Sequence, residues 1–210
     1  KIGNYCFSYH TRTSIELPDS VTVIGDYAFA HSSTLESFKC PEDLEVIGDN
    51  AFRGNSNLVT VEVNGKLKHV KDYAFGDCSK LEGFDFPSST HAIGEYAFYN
   101  CKNLSEVKLS TGWNTTDVAS GSITYDSRSP FYGCTKLKLI YNDSSLNLTI
   151  GSNEYGYVAY YAKFITTNKN DYTIVDDFIF NKTDGVYTLI AYVGIDSQIS
   201  LPLEINGTNY

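Results

Sequence analysis

VKDYAFGDCSKLEGFDFPSSTHAIGEYAFYNCKNLSEVKL, residues 70–109, carries one pattern twice. Val70-Lys71-Asp72-Tyr73-Ala74-Phe75 returns as Ile93-Gly94-Glu95-Tyr96-Ala97-Phe98. Cys78 returns as Cys101, Leu81 as Leu104, Phe84 as Val107 and Phe86 as Leu109, each at an offset of 23 residues. A fixed period of this length marks a solenoid, because so short a unit cannot bury its apolar face alone and must stack on a copy of itself.

The physics of one repeat is readable. Leu81-x-x-Phe84-x-Phe86 ends in a period-2 alternation, which predicts a short strand with one buried face. Asp72-Tyr73-Ala74-Phe75 is expected to form a tight helical turn, with Asp72 as its cap and Phe75 as a core plug. Gly94 precedes the turn, where a small residue or a positive φ is convenient. Stacked copies should form a parallel ladder with strands roughly 4.8 Å apart. The strands are expected to centre near Ile15, Phe38, Val61, Phe84, Val107 and Ile140 and to form one parallel sheet.

Working outward, Ile24-Gly25-Asp26-Tyr27-Ala28-Phe29 and Ile47-Gly48-Asp49-Asn50-Ala51-Phe52 repeat the motif, each followed by a strand pattern. The chain resembles the BspA-like (Treponema-type) leucine-rich repeat family, whose units read I-G-x-x-A-F-x-x-C-x-x-L-x-x-I-x-L-P. The resemblance covers residues 1–109, continues at 131–141 and returns faintly at Ile199-Ser200-Leu201-Pro202. It implies an α/β solenoid, a right-handed leucine-rich repeat superhelix with a parallel β-ladder. It further implies a cell-surface or secreted protein, extracellular in location, with an adhesion or interaction role.

Composition agrees with a repeat protein and excludes several functions. The 17 Tyr and 12 Phe fit a unit that uses Phe as plug and Tyr as its half-exposed neighbour. A net charge of −9 makes nucleic acid and anionic membrane poor partners. No apolar run is long enough to insert in a bilayer, and no signal peptide is present. The chain contains no Met, begins in mid-repeat and stops where a further unit would follow, so it reads as a segment of a longer protein.

Taken in order, the plugs Phe7, Phe29, Phe52, Phe75 and Phe98 are spaced by 22, 23, 23 and 23 residues, and the next, Phe131, follows after 33. The chain is expected to be one leucine-rich domain over residues 1–210, with regular repeats at 1–109 and an edge-loop insertion at 110–130. A further repeat would occupy 131–150, with 146–150 as a strand. A short helix over residues 155–165 and a β-hairpin would interrupt the array at 151–197, before a new repeat starts at 198–210. The hairpin reading joins β-rich runs at 172–180 and 186–193 through a five-residue loop, Asn181–Gly185.

Several columns have chemistry-bearing residues. Asp26, Asp49, Asp72 and Glu95, with Asn4, recur at one place. One oxygen ligand per repeat is too few for calcium, so turn capping is the expectation. Cys78, Cys101 and Cys134 share a column with His10, Ser32 and Asn55, and are expected to be small buried residues whose polar atoms satisfy backbone groups. No Cys pair has zinc spacing, and free thiols are expected. No catalytic triad order, zinc-protease motif or phosphate loop occurs, so the chain is read as a non-enzyme without cofactor or metal. Six N-x-S/T sequons, at Asn103, Asn114, Asn142, Asn147, Asn181 and Asn206, would take glycans only in a eukaryotic secreted protein.

The outward positions of the ladder are the candidate ligand-binding residues: Lys39, Glu62, Asp85, Glu106, Lys108, Leu139 and Tyr141. Trp113, the one tryptophan, lies in the adjacent edge loop. Leu139, Tyr141 and Trp113 either form an exposed contact patch or lie beneath the appended helix and hairpin. The function expected is a non-catalytic, monomeric binding or adhesion module for a protein or glycan on a host or neighbouring cell. The rival reading is a stalk that presents another domain.

Overall fold

A computed structural model describes residues 1–63, 65–111, 129–151, 158–167, 172–194 and 202. The chain divides into two compact units, Lys1–Ile165 and Thr166–Tyr210. In chain order the strands are β1 (Val23–Ile24), β2 (Ser37–Lys39), β3 (Val46–Ile47), β4 (Thr60–Glu62), β5 (His69–Val70), β6 (Gly83–Asp85) and β7 (Ala92–Ile93). They continue with β8 (Glu106–Leu109), β9 (Leu139–Asn142), β10 (Phe164–Thr166), β11 (Tyr172–Val175), β12 (Phe178–Thr183) and β13 (Val186–Tyr192).

The first unit is a parallel β-solenoid of stacked repeats. The predicted ladder is present, with Phe38 opposite Val61 and with Phe84 opposite Val107, itself opposite Ile140. It is not one sheet. β2 and β4 form one piece, while β6, β8, β9 and β10 form another. The seam falls where Gly83 takes the outward position, and a glycine within a strand weakens it by leaving no side chain to pack across. The backbone bond from Glu82 N–H to Val59 O, 3.2 Å, still joins the repeats there. The segment at Ile15 forms no strand, and is held to the next repeat by Glu36 N–H on Thr13 O at 2.8 Å.

A second parallel ladder, unforeseen in the sequence, runs through β1, β3, β5 and β7. Its inward residues Ile24, Ile47, Val70 and Ile93 join the same core as Leu35, Leu58, Leu81 and Leu104. The phenylalanine plugs form a stack between Phe7, Phe29, Phe52, Phe75, Phe98 and Phe131, with centroid spacings of 5.2, 5.1, 5.2, 5.2 and 5.4 Å. This rise is close to the strand spacing, so each layer keeps ring contact and ladder bonds together.

The turn before the plug is not helical. Tyr73, Phe75 and Asp77 donate their N–H groups forward to Glu95, Ala97 and Tyr99 carbonyls at 3.1, 2.7 and 2.6 Å. The intervening Ala74 and Gly76 donate within the turn, to Lys71 O and Tyr73 O at 3.2 and 2.9 Å. A helix would spend every N–H on its own carbonyls, whereas this turn spends alternate ones on the next layer. Positive φ at Tyr73 (53°) and Asp77 (61°) creates the alternation. Asp72 does not cap its own turn; its Oδ1 accepts Glu95 N–H at 2.9 Å. Asn4, Asp26 and Asp49 accept from Asp26, Asp49 and Asp72 in the same way, at 3.0, 3.0 and 3.1 Å. Gly94 serves a close approach, since a Cβ there would collide with the Asp72 backbone nitrogen.

The cysteine column works as a row of donors. The thiols of Cys78, Cys101 and Cys134 donate to the plug carbonyls Phe52 O, Phe75 O and Phe98 O at 3.2, 3.1 and 3.1 Å. Ser32 does the same to Phe7 O, and Asn55 to Phe29 O.

Three further expectations change. Residues 146–150 form no strand, although Leu146 is buried and Leu148 half-buried. They lie against a local bond from Leu148 N–H to Leu146 O instead of a strand partner. The helix predicted over 155–165 is, in its described part, a turn followed by β10. Val158, Ala159 and Ala162 are buried as that pattern required, but as part of the repeat core. Lys163 and Phe164 donate to Lys138 O, as Lys138 and Leu139 donate to Ser105 O, so this segment continues the ladder. The predicted hairpin is present in the second unit as β12–β13, with β11 beside β12 as a third antiparallel strand and a shorter loop than expected. Its β12–β13 loop is two residues, Asp184 and Gly185, both with positive φ as a type I′ turn requires. The expected repeat at 198–210 and the bulk of the edge loop lie outside the described residues.

Candidate functional site

The sequence-predicted site residues divide into three groups. Lys39, Glu62 and Asp85 are exposed, and Glu106 and Lys108 are half-buried along the same ladder. Register places Lys39 beside Glu62, Asp85 beside Lys108, and Glu106 beside Leu139. The row holds both signs, with the carboxylates of Glu62 and Asp85 between the cations of Lys39 and Lys108, and Lys108 Nζ pairs with Asp143 at 3.3 Å. Leu139 and Tyr141 are not exposed: Leu139 has no accessible surface and Tyr141 only 4%. Burial pushes the Tyr141 hydroxyl well above its ordinary pKa, with the Glu106 carboxylate adding to the effect through its charge and a hydrogen bond. Both side chains are buried and present no exposed patch. Trp113 lies outside the described residues.

The structure brings together a set of residues that the sequence reading passed over. Two columns flank each plug, one two residues before it and one directly after it. The first holds Tyr73 and Tyr96, the second Arg53, Gly76, Tyr99 and Tyr132. The Tyr73 and Tyr96 rings stack at 4.8 Å and 17°. The Tyr99 and Tyr132 rings are also parallel, at 5.9 Å and 2°. The two pairs meet steeply, Tyr96 lying at 76° to Tyr99 and at 74° to Tyr132. The result is an aromatic corner around a cavity of about 330 Å³, lined among the described residues by Arg53, Tyr73, Tyr96, Tyr99 and Tyr132.

Gly76 opens this corner. It falls between Arg53 and Tyr99 in its column, and a Cβ there would stand 3.5 Å from the Tyr73 ring and 3.6 Å from Arg53 Cγ. Tyr73 therefore leans over a position without a side chain, and the Arg53 guanidinium lies 4.9 Å above its ring. Burial raises the Tyr73 pKa, and the neighbouring Tyr96 adds to it while Arg53 opposes it. A polar edge borders the rings. Arg53 Nε donates to Asp77 at 3.3 Å, Arg53 Nη1 to Asn50 Oδ1 at 3.2 Å, and Asn100 Nδ2 to Asp77 at 3.2 Å. The sequence signal was available as tyrosine two before and one after successive plugs, but only the stacking of layers shows that the columns converge.

Among the described residues, no group of three or more His, Cys, Asp or Glu could hold a metal ion. No helix of the described residues is long and apolar enough to cross a membrane.

Comparison with known proteins rests on this geometry. The family model for the BspA type leucine-rich repeat region matches residues 1–118 in six copies. The pneumococcal vaccine antigen PcpA shares the fold with a TM-score of 0.58 and 19% identity, over 76% of this chain and 37% of its own. A leucine-rich repeat protein from Bacteroides ovatus is 26% identical over 57% of this chain and 34% of its own, with a TM-score of 0.44. A leucine-rich cell surface protein from Faecalibacterium prausnitzii is 19% identical over 91% of this chain and 49% of its own, with a TM-score of 0.46. The chain thus spans between a third and a half of the length of these three proteins. No curated protein sequence matches it. With more than half of its length matched by six consecutive units, and with those units stacked as parallel layers, the chain belongs to the BspA-type leucine-rich repeat family.

Proposed function

We propose that this chain is a non-catalytic binding module of a surface or secreted repeat protein, and that it adheres to a protein on a host or neighbouring cell. The observation that carries the reading is the exposed row Lys39, Glu62 and Asp85 on consecutive layers. A rigid backbone displays these charges at roughly 4.8 Å intervals. The chain pays no folding cost to present them, because the ladder is ordered beforehand. This row, one cation followed by two carboxylates, suits register selection and rejects partners whose charges fall out of phase. Family membership supports an extracellular setting, as does the fold shared with a vaccine antigen.

The test is solid-phase binding of the intact chain to immobilised fibronectin, laminin and fibrinogen. It is compared with the triple variant Lys39→Glu, Glu62→Lys, Asp85→Lys. The reading predicts that binding falls at least tenfold while thermal unfolding stays within the scatter of surface substitutions, about 0.5 kcal/mol each. Binding that ignores the triple variant, or no binding to any of the three proteins, would move the chain to the stalk reading.

A further inference from the structure

We propose that the tyrosine corner is a carbohydrate site, which takes one neutral pyranose ring in the open cavity where the Tyr73–Tyr96 and Tyr99–Tyr132 pairs meet. The inference does not rest on the proposed protein contact of the strand ladder, since the two sites use different columns of the repeat.

The chemistry of the walls selects the ligand. A pyranose has a flat face of axial C–H bonds and a rim of vicinal hydroxyls that both donate and accept. The corner supplies aromatic surface for such a face and a polar edge for such a rim. Asp77 is an acceptor, while Arg53 and Asn100 are donors, and hydrogen bonds hold all three in one line. Arg53 and Asp77 side chains retain 36% and 38% of their surface, so the pair remains reachable. Two of the guanidinium N–H groups are engaged by Asp77 and Asn50, and an arginine has more to offer. The cavity of about 330 Å³ stands at the small end of the range for small-molecule sites, which fits a single ring.

Other ligand classes fit less well. A quaternary ammonium group wants aromatic faces free of cations, yet Arg53 already occupies the face of Tyr73. An anionic sugar meets a chain of net charge −9 and an arginine already paired with a carboxylate. An apolar peptide side chain would cover the rings but leave the polar edge without partners.

Tyr73 and Tyr96 hold bulky side chains at φ of 53° and 57°. Asn50 occupies the same column one layer earlier at φ 55°, and asparagine tolerates that region better than tyrosine. Ring stacking offsets part of the extra strain. Tyr5 and Tyr27 hold the same column at φ of 59° and 56°, so this conformation belongs to the repeat throughout and not to the corner alone.

The experiment uses the whole chain with ring-labelled tyrosine and follows the Tyr resonances by NMR. The probes are the methyl glycosides of glucose, galactose, mannose and N-acetylglucosamine, with tetramethylammonium and N-acetyltyrosinamide as controls. At least one glycoside should shift the Tyr96, Tyr99 and Tyr132 signals saturably, with a Kd on the order of 1 mM. Tyr96→Asn, which copies the Asn50 solution and so keeps the turn, should weaken that binding about tenfold, the worth of one stacking face. Arg53→Gln should weaken it as well, so the reading stands on a second variant if the first disturbs the fold. Lys39→Glu on the ladder should leave it unchanged, which separates this site from the protein-binding proposal. The proposal is overturned if no glycoside shifts these rings saturably in the folded chain. It is also overturned if the shifts survive both variants, or if only a control compound saturates.

Discussion

Removing Phe75 probes the stack where it is most enclosed. The side chain has no accessible surface. Its ring contacts Phe52 and Phe98 at 5.2 Å each and Phe84 at 5.3 Å. Phe75→Ala loses the transfer energy of a buried ring and leaves a cavity that the flanking layers cannot close, at about 3–5 kcal/mol. The stacked ring contacts, worth about 0.5–1.5 kcal/mol per pair, place this position toward the upper part of that range. Phe7 is a built-in control: it is half-buried and stacks on Phe29 at one side. Phe7→Ala should therefore cost clearly less. Because each layer touches only its neighbours, a gap at Phe75 should also uncouple the layers on either side, and the urea transition should broaden or split. Urea denaturation followed by circular dichroism and by tyrosine fluorescence reads both effects. Equal losses at Phe75 and Phe7, or a Phe75→Ala chain that unfolds like the parent, would refute the plug stack as the source of stability.

Two more predictions concern the side-chain columns. Burial raises the Asp72 carboxyl pKa, and the Asp49 and Glu95 carboxylates add to it while the Glu95 amide bond opposes. The folded chain thus holds this proton to higher pH than the unfolded chain, so ionised Asp72 destabilises the fold; the penalty is absent below the ordinary value of 3.8 and grows as pH rises through the folded value. Asp72→Asn keeps the Oδ1 acceptor, as Asn4 does in the same column, and should gain about 0.5 kcal/mol at pH 7 and nothing at pH 3 in paired thermal melts. A loss at pH 7 would contradict this sign. In native thiol labelling, exposed Cys6 should react while buried Cys40, Cys78, Cys101 and Cys134 do not, the Cys40 pKa being pushed up to about 12 by burial. Denaturation without reductant should release all five cysteines, and fewer would mean that a disulfide forms.

The repeat was legible because its buried positions tolerate little variation in kind. Phe75 and Phe98, or Leu81 and Leu104, occupy the same pocket one layer apart, so their recurrence in the chain is their recurrence in space. The turn was misread because Asp72-Tyr73-Ala74-Phe75 has the composition of a capped helical turn, while the positive φ of Tyr73 depends on bonds to the following layer. Tertiary hydrogen bonds overrode local preference there. The same cause hid the second ladder, whose strands of two residues, such as His69–Val70, are too short for any periodicity to show. At residues 158–165 the spacing of Val158, Ala159, Ala162 and Ile165 matched a helix face, yet a turn followed by a strand buries the same positions. Outward residues were the hardest to place. Leu139 and Tyr141 follow the alternation of the ladder, and alternation cannot say what lies against its outer face. The tyrosine corner escaped notice because no repeat contains it; it exists only where four layers and the gap at Gly76 coincide.

The alternation of hydrogen bonds in the turn carries the account, because it makes the layers parallel, sets the tyrosines at positive φ and aligns the plugs. Couplings across hydrogen bonds, measured by NMR on the deuterated chain, observe it directly. The account predicts couplings from the Tyr73, Phe75 and Asp77 amides to the carbonyl carbons of Glu95, Ala97 and Tyr99. Couplings from the same amides to carbonyls four residues earlier in their own turn would mean a helical repeat and would contradict it.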